Sequence, residues 1–335
     1  MAARWLRASS RPSSGRRKTT HQSPPEALPL SKWAWPALLL LVCMSIPLGH
    51  AQNDTSCRSH SRSPSASSKW SLLWRDEFRQ KGRSLDGKKW SHMLGDGSYY
   101  GIPGWGNGEY QSYTKDNAYV SADRLIIKAK VDGDGEITSS RLRSKFDVYP
   151  GYKGFKTIKI KTRLKIPGAS PGMWAALWML PETSNKSCSG CGRYGAWSSS
   201  GEIDIWESVN TMSDVIATAH YGGQWPGNRA WGASAKIDGT QWNVMSVLWE
   251  KDKISWYLNN EKIHEIWSAS ETREGWYSEN TQRSRAPFDR PFHVLINLAC
   301  GGSLTGNVDR RTVVDTLRAK SRSMHVDYVR IYGRR

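Results

Sequence analysis

The chain has 335 residues and carries 48 Lys and Arg against 30 Asp and Glu, a formal charge of +18, with 18 Trp and only 5 Phe. It has no Gly repeat, no sustained heptad and a single apolar run, and it is rich in aromatics. Collagen-like, coiled-coil, disordered and multispan membrane classes are therefore excluded. The charge raises a nucleic-acid partner, and the Trp excess raises a ligand with flat apolar faces.

Residues 1–32 are polar and basic, with Arg4, Arg7, Arg11, Arg16, Arg17 and Lys18. The apolar run 33–48 is shorter than the ~20 residues of a membrane span. Gly49 and Ala51 after it fit a small-x-small cleavage site. Residues 1–51 read as a secretory signal with a long basic leader, an uncleaved signal anchor being the alternative. The protein is expected outside the cell, or anchored to the membrane if the leader stays. Residues 52–69 are Ser-rich and read as a flexible linker. Residues 1–70 hold +8 of the +18, which leaves +10 for the rest. Cys43 leaves with the leader. Cys57, Cys188, Cys191 and Cys300 remain, an even number compatible with an oxidising compartment. Cys188 and Cys191 read as a local loop disulfide rather than half a zinc site, because no second such pair follows. Overall connectivity stays open. Asn53 and Asn185 are N-glycosylation acceptors.

From Trp70 onward the pattern is β. Residues 124–131 form a strand. In 155–166, Ile158, Ile160, Leu164 and Ile166 alternate with Lys159, Lys161, Arg163 and Lys165. That is a half-exposed strand whose charge run is a solvated face. Further strands are predicted at 214–220, 241–250, 253–259, 261–267, 291–299 and 324–332, with Asn259 and Asn260 as a hairpin turn. No long amphipathic helix is visible. Many short strands between turn signals predict one all-β sandwich or jelly roll over 70–335.

The chemistry lies at 201–208, GEIDIWES. On a strand Glu202 and Asp204 share a face, whereas Glu207 would fall on the other. One extra residue, a β-bulge, returns Glu207 to their side. A retaining glycosidase needs two carboxyls about 5–5.5 Å apart, one nucleophile and one acid/base. A third carboxylate raises the cost of ionising its neighbours, so one acid stays protonated near neutrality. An exposed acidic strand or a cation site is the alternative, although calcium wants more oxygen ligands than Gly, Ile and Trp supply.

GEIDIWE resembles the active-site strand of glycoside hydrolase family 16, in the bulged laminarinase-type branch. The blocks WRDEF (74–78), GWGNGEYQSYT (104–114), SSRLRSK (139–145), GMWAALWMLP (172–181), AHYGG (219–223), PFHVLINLACGG (291–302) and VDYVRIY (326–332) follow the same family in order. The resemblance implies a jelly-roll β-sandwich of two antiparallel sheets with a concave, concanavalin A-like cleft. It implies Glu202 as nucleophile, Glu207 as acid/base and Asp204 as the assisting carboxylate, with His220 near the acid/base. Trp174 and Trp178 would floor the donor side. Asn107 and Arg141 would hold sugar hydroxyls, with Glu109 on the same segment. Trp105 would be a subsite wall or a structural residue, and Trp206, inside the bulge, would face away. Many members hold a structural calcium, for which Glu77 and Asp327 are the candidates, a surface salt bridge being the alternative. One departure is Leu304, in GGSLTGN, where the family often has Trp. The expected function is a monomeric, secreted, retaining endo-β-1,3-glucanase acting on glucan without organic cofactor or catalytic metal and without a nucleic-acid partner. A transglycosylase, a hydrolase of mixed-linkage glucan or galactan, and a non-catalytic glucan-binding protein are the rivals.

Overall fold

In the computed structural model, which describes residues 69–183 and 190–335, alternation of apolar and polar side chains again decides the architecture. The leader, Cys57, Cys188 and both glycosylation acceptors lie outside the described residues, as does the linker but for Lys69. In chain order the strands are β1 (Ser71–Asp76), β2 (Trp90–Met93), β3 (Ser112–Tyr113), β4 (Ala118–Val120), β5 (Leu125–Val131), β6 (Ile137–Ser139), β7 (Arg141–Val148), β8 (Thr157–Lys165) and β9 (Met173–Pro181). There follow β10 (Glu202–Val209), β11 (Asp214–Gly222), β12 (Asn228–Lys236), β13 (Asn243–Trp249), β14 (Lys253–Leu258), β15 (Glu261–Trp267), β16 (Phe292–Cys300), helix α1 (Arg310–Ala319) and β17 (Arg322–Arg334).

A ten-stranded sheet runs β15-β14-β13-β8-β17-β5-β6-β3, with β1 added to β17 and β4 to β5. A seven-stranded sheet runs β12-β11-β10-β9-β16-β7-β2. The expected antiparallel sandwich is present, apart from the short parallel pair β3 and β6. The strand β8 behaves as its sequence predicts: Ile158, Ile160 and Leu164 are fully buried and the Lys and Arg between them face outward. They join Val247, Trp249 and Ile331 against Leu177, Met179, Ile203 and Ile296 of the other sheet in one continuous apolar core. Each such side chain contributes about 1.5–3 kcal/mol on burial. Asn259 and Asn260 make the β14–β15 turn with φ of 50° and 74°, the double left-handed step of a tight hairpin.

The alternation did not disclose the strands β1 to β4, β6, β7, β9 and β12 or the helix α1. Strand β12 is mostly exposed at the sheet edge and so carries no alternating pattern. Helix α1 is only 10 residues long, capped by the Asp309 carboxylate on the Thr312 N–H, and buries Val313, Val314 and Leu317.

Two expectations need correction. Glu77 and Asp327 do not make a cation site. Both Glu77 oxygens accept from Arg330, at 2.8 and 2.7 Å, and Asp327 accepts from Arg163 at 2.8 Å. The Arg330 hydrogen bonds hold Glu77 below the usual carboxylate range. Oxygens committed to a bidentate guanidinium do not fit a calcium ion, so the salt-bridge alternative stands. Nor do all four remaining cysteines pair. Cys191 is disulfide-bonded, but Cys300 is a free thiol at the end of a strand whose every residue is buried. Its Sγ rests 3.9 Å from the Met173 sulfur.

Candidate active site

The outward face of the seven-stranded sheet carries a cavity of about 450 Å³. Every cleft residue expected from the sequence lines it: Trp105, Asn107, Glu109 and Arg141; Trp174 and Trp178; and Glu202, Asp204, Glu207 and His220. The strand order explains why. Across the sheet, β7 contributes Arg141, β9 the two Trp, β10 the carboxyls and β11 the His.

The bulge is present and sits where the carboxyl spacing demands. Against β9, Asp204 is opposite Trp178 but Trp206 is already opposite Leu177. Against β11, Asp204 is opposite Thr218 and Glu207 opposite Ile216. One residue of β10 is therefore extra. Ile205 and Trp206 both turn into the core, fully buried, and Glu207 returns to the cavity beside Asp204. Trp206 faces away as expected. A bulge leaves ladder groups without strand partners, and one of them is met from the opposite sheet. The Trp256 indole N–H, on β14, donates to the Asp204 carbonyl at 2.8 Å. Gly201, with φ of 84°, starts the strand where a Cβ would lie 2.8 Å from the Pro287 ring.

Around the carboxyls each partner is identifiable. The Trp197 indole N–H donates to Glu202 at 3.0 Å, and the Trp174 indole N–H donates to Glu207 at 3.0 Å. Glu202 and Asp204 hydrogen-bond to each other, which requires a proton on one of them. His220 lies opposite Glu202 in the β10–β11 register, 3.2 Å from Asp204 and 4.0 Å from Glu202. It lies in the same cavity as Glu207, on whose carboxyl its charge also acts, and the strand register sets it nearest to Asp204 and Glu202. Burial raises all three carboxyls. Glu202 stands well above the usual range. The Asp204 charge adds to burial at Glu207, which is pushed up to about 8. Three acids in one desolvated site cannot all ionise near neutrality.

The other wall is a directed hydrogen-bond chain. Trp178 donates to Asn297 at 2.7 Å, Asn297 donates to the Tyr113 hydroxyl at 3.2 Å, and that hydroxyl donates to Glu109 at 3.1 Å. Gln111 and Asn107 also donate to Glu109, at 2.7 and 3.1 Å. Burial raises the Glu109 pKa and the Arg141 charge opposes the rise. Arg141 is sandwiched between Trp105 at 4.4 Å and Trp178 at 4.7 Å. Its Nε and one Nη are buried without a partner, so the site offers N–H donors to a polar ligand. Trp105 is only 3% exposed and donates to the Gly95 carbonyl at 3.2 Å, so it is chiefly a support for Arg141. Trp174 and Trp178 are half-buried, each leaving part of its ring to the cavity.

Sequence reasoning missed Trp197 and Asn297. Trp197 contacts Glu202 through a loop, which no strand periodicity reports. Asn297 did carry a signal: a lone amide inside the apolar run of β16. Leu304, the noted departure, stands at the cavity rim, 38% exposed.

Comparisons with known proteins agree with this geometry. A model of the family described as "Glycosyl hydrolases family 16" matches residues 105–307. The chain is 34% identical over 284 residues to a glucan endo-1,3-beta-glucosidase A1 of Niallia circulans, covering 78% of this chain and 37% of that one. It is 31% identical over 298 residues to the clotting factor G alpha subunit of Tachypleus tridentatus, covering 88% and 37%. The chain therefore spans little more than a third of the length of these two relatives. It is 31% identical over 274 residues to a beta-glucanase of Rhodothermus marinus, covering 78% and 85%. The solved catalytic domain of an endo-1,3-beta-glucanase (laminarinase) from Thermotoga petrophila RKU-1 superposes with a TM-score of 0.63 at 30% identity, over 80% of this chain and 99% of that one. The matched span contains β7, β9, β10, β11 and β16, the strands that build the cavity. By sequence, by fold and by its bulged carboxyl strand, the chain belongs to glycosyl hydrolase family 16, in the laminarinase-type branch.

Proposed function

We propose that this protein is an endo-β-glucanase that cuts internal β-1,3-glucosidic bonds with retention of configuration. The observation that carries the reading is the bulge in β10, which gathers Glu202, Asp204 and Glu207 on one wall of a Trp-lined cavity. Glu207 holds a proton at neutral pH and donates it to the departing glycosidic oxygen. Glu202 attacks the anomeric carbon and forms a glycosyl ester. Glu207, now a base, takes a proton from water, whose oxygen displaces Glu202. Glu202 must be ionised to attack. The Trp197 N–H and the charge of Arg141 favour that form against the cost of burial. The steps are nucleophilic and acid–base throughout and draw on no cofactor.

Trp174 and Trp178 offer indole faces to sugar rings, and Arg141 offers its free N–H groups to their hydroxyls. The named activities of the Niallia and Thermotoga relatives support the β-1,3 linkage. The basic leader and apolar run in 1–51 support export.

The test is a polysaccharide panel. Full-length protein will release reducing ends from laminarin faster than from mixed-linkage glucan or galactan, and proton NMR will show the β-anomer first. Glucan binding without new reducing ends would instead mark a recognition protein, and α-anomer first would exclude the covalent route. Trp197→Phe keeps a ring beside His220 but removes the donor to Glu202. Its kcat on laminarin should fall about 10- to 100-fold with KM within about twofold. An unchanged kcat would remove Trp197 from the machinery.

A further inference from the structure

The face of the ten-stranded sheet turned away from the core, opposite the cavity, is unusually basic. Register places Lys161 of β8 directly beside Arg330 of β17, which lies directly beside Arg75 of β1. Adjacent strands are about 4.8 Å apart, and like charges placed opposite one another destabilise a sheet. To one side, Lys159 and Arg334 lie over the Trp70 ring at 4.3 and 4.9 Å. To the other, Arg163 and Lys165 lie over the Trp242 ring at 4.7 and 5.4 Å. Acidic compensation is thin. Glu77 pairs with Arg330 and Asp327 with Arg163. Among the described residues no carboxylate pairs with Arg75, Lys159, Lys161, Lys165 or Arg334.

The titratable groups on this face feel that excess. Burial first, then the Lys161 and Arg334 charges, lower the Lys159 pKa. Burial, then Lys165 and Arg124, lower that of His325 to about 4, so this His is neutral and adds no charge.

Sheets often carry Lys to keep edge strands from pairing with other chains. That reason fails here, because β8 and β17 are central, each flanked on both sides. What the face offers is a flat row of cations along β8, about 6.6–6.8 Å apart at alternate residues, with an indole beside each end. A duplex nucleic acid is read by an element that enters a groove, and a flat sheet face supplies none. An extended sugar chain bearing anionic groups matches the row, its anions meeting the cations that the two indoles steady at either end.

We infer that this face binds a linear polysaccharide carrying carboxylate or sulfate groups, and so holds the protein on an acidic matrix while the opposite cavity stays free. The binding step needs no catalysis, so its test stands whether or not the cavity cuts β-1,3-glucan.

The test is affinity electrophoresis of the full chain through polygalacturonate, through a sulfated galactan, through neutral laminarin and through duplex DNA, at low and at physiological salt. The wild type should be retarded by at least one acidic polysaccharide more than by DNA, and less so as salt rises. The gel that retards it more identifies uronate or sulfate as the anion. The double variant Lys159→Glu with Lys161→Glu should bind about tenfold more weakly. Lys159→Arg with Lys161→Arg should bind like the wild type. All three chains carry the same basic leader, which therefore cancels from the comparison. An unchanged melting temperature shows that the Glu variant is folded. Equal retardation of wild type and Glu variant, no retardation by either acidic polysaccharide, or stronger retardation by DNA would each overturn the inference.

Discussion

Replacing Glu202 with Gln will lower kcat on laminarin by about 10,000-fold or more, because an amide oxygen is too weak a nucleophile to form the glycosyl ester. The exchange keeps the shape of the side chain, and the amide oxygen still accepts from Trp197. Oligosaccharide affinity, measured by calorimetry, should stay within severalfold. The same variant should be more stable than the wild type. Burial raises the Glu202 pKa well above its unfolded value. A carboxyl of that kind contributes stability below its unfolded pKa, which is lost as pH rises through its folded pKa. At pH 7–8 the wild type bears that loss and the permanently neutral amide does not. A higher melting temperature than the wild type is expected above neutrality, and the difference should shrink as pH falls toward the unfolded carboxylate range. Activity within tenfold of wild type would remove Glu202 as the nucleophile. A variant less stable at pH 8 than the wild type would show that the cluster is not held under electrostatic load.

Glu207→Gln separates the acid from the nucleophile. On laminarin kcat should fall about 100- to 10,000-fold, the usual range for loss of a positioned acid/base. On an aryl glucoside oligomer whose leaving group departs without a proton, the first step should survive. The glycosyl ester will then accumulate, visible as a burst of phenol and as added mass on the protein. The pH profile carries the second half of the expectation. Wild-type kcat/KM should fall on the alkaline side as Glu207 gives up its proton, near the value of about 8 to which burial and Asp204 push it. In Glu207→Gln that alkaline fall should be gone for the aryl substrate, because no proton is there to lose. The acid limb belongs to ionisation of Glu202, whose carboxyl burial and the neighbouring Asp204 raise. An alkaline fall that persists in the variant would assign it to some other group.

What could be read in advance follows from where each signal resides. Strand β8 was legible because its solvent side is charged and its inner side branched. Strand β12 was not, since an exposed edge needs no alternation. The bulge was legible for a chemical reason: carboxyls at 202, 204 and 207 share a face only if one residue is added, and the apolar Ile205 and Trp206 already marked two core positions in succession. Tyr113 and Asn297 bond between segments far apart in the chain, so their bond exists only once the fold does, whereas Trp197, five residues from Glu202, reaches it from a loop that no strand pattern reports. The salt bridges that occupy Glu77 and Asp327 were nearer to hand. Arg330 alternates on the outer side of β17 and Arg163 on that of β8, so cross-strand pairing was open to inference from their positions.

The hydrogen bond from Trp256 to the Asp204 carbonyl has a mechanical consequence. A polymer being cut is also a rope: drawn along the cleft, it drags on one sheet while the rest of the sandwich resists. The indole spans the interior between the layers and fastens the strand bearing the carboxyls to the layer behind it. It works as a shear pin. Slip between the sheets and misalignment of Glu202 with Glu207 become one and the same displacement, so the geometry of the carboxyls is held by the stiffness of the core as well as by the rim of the groove.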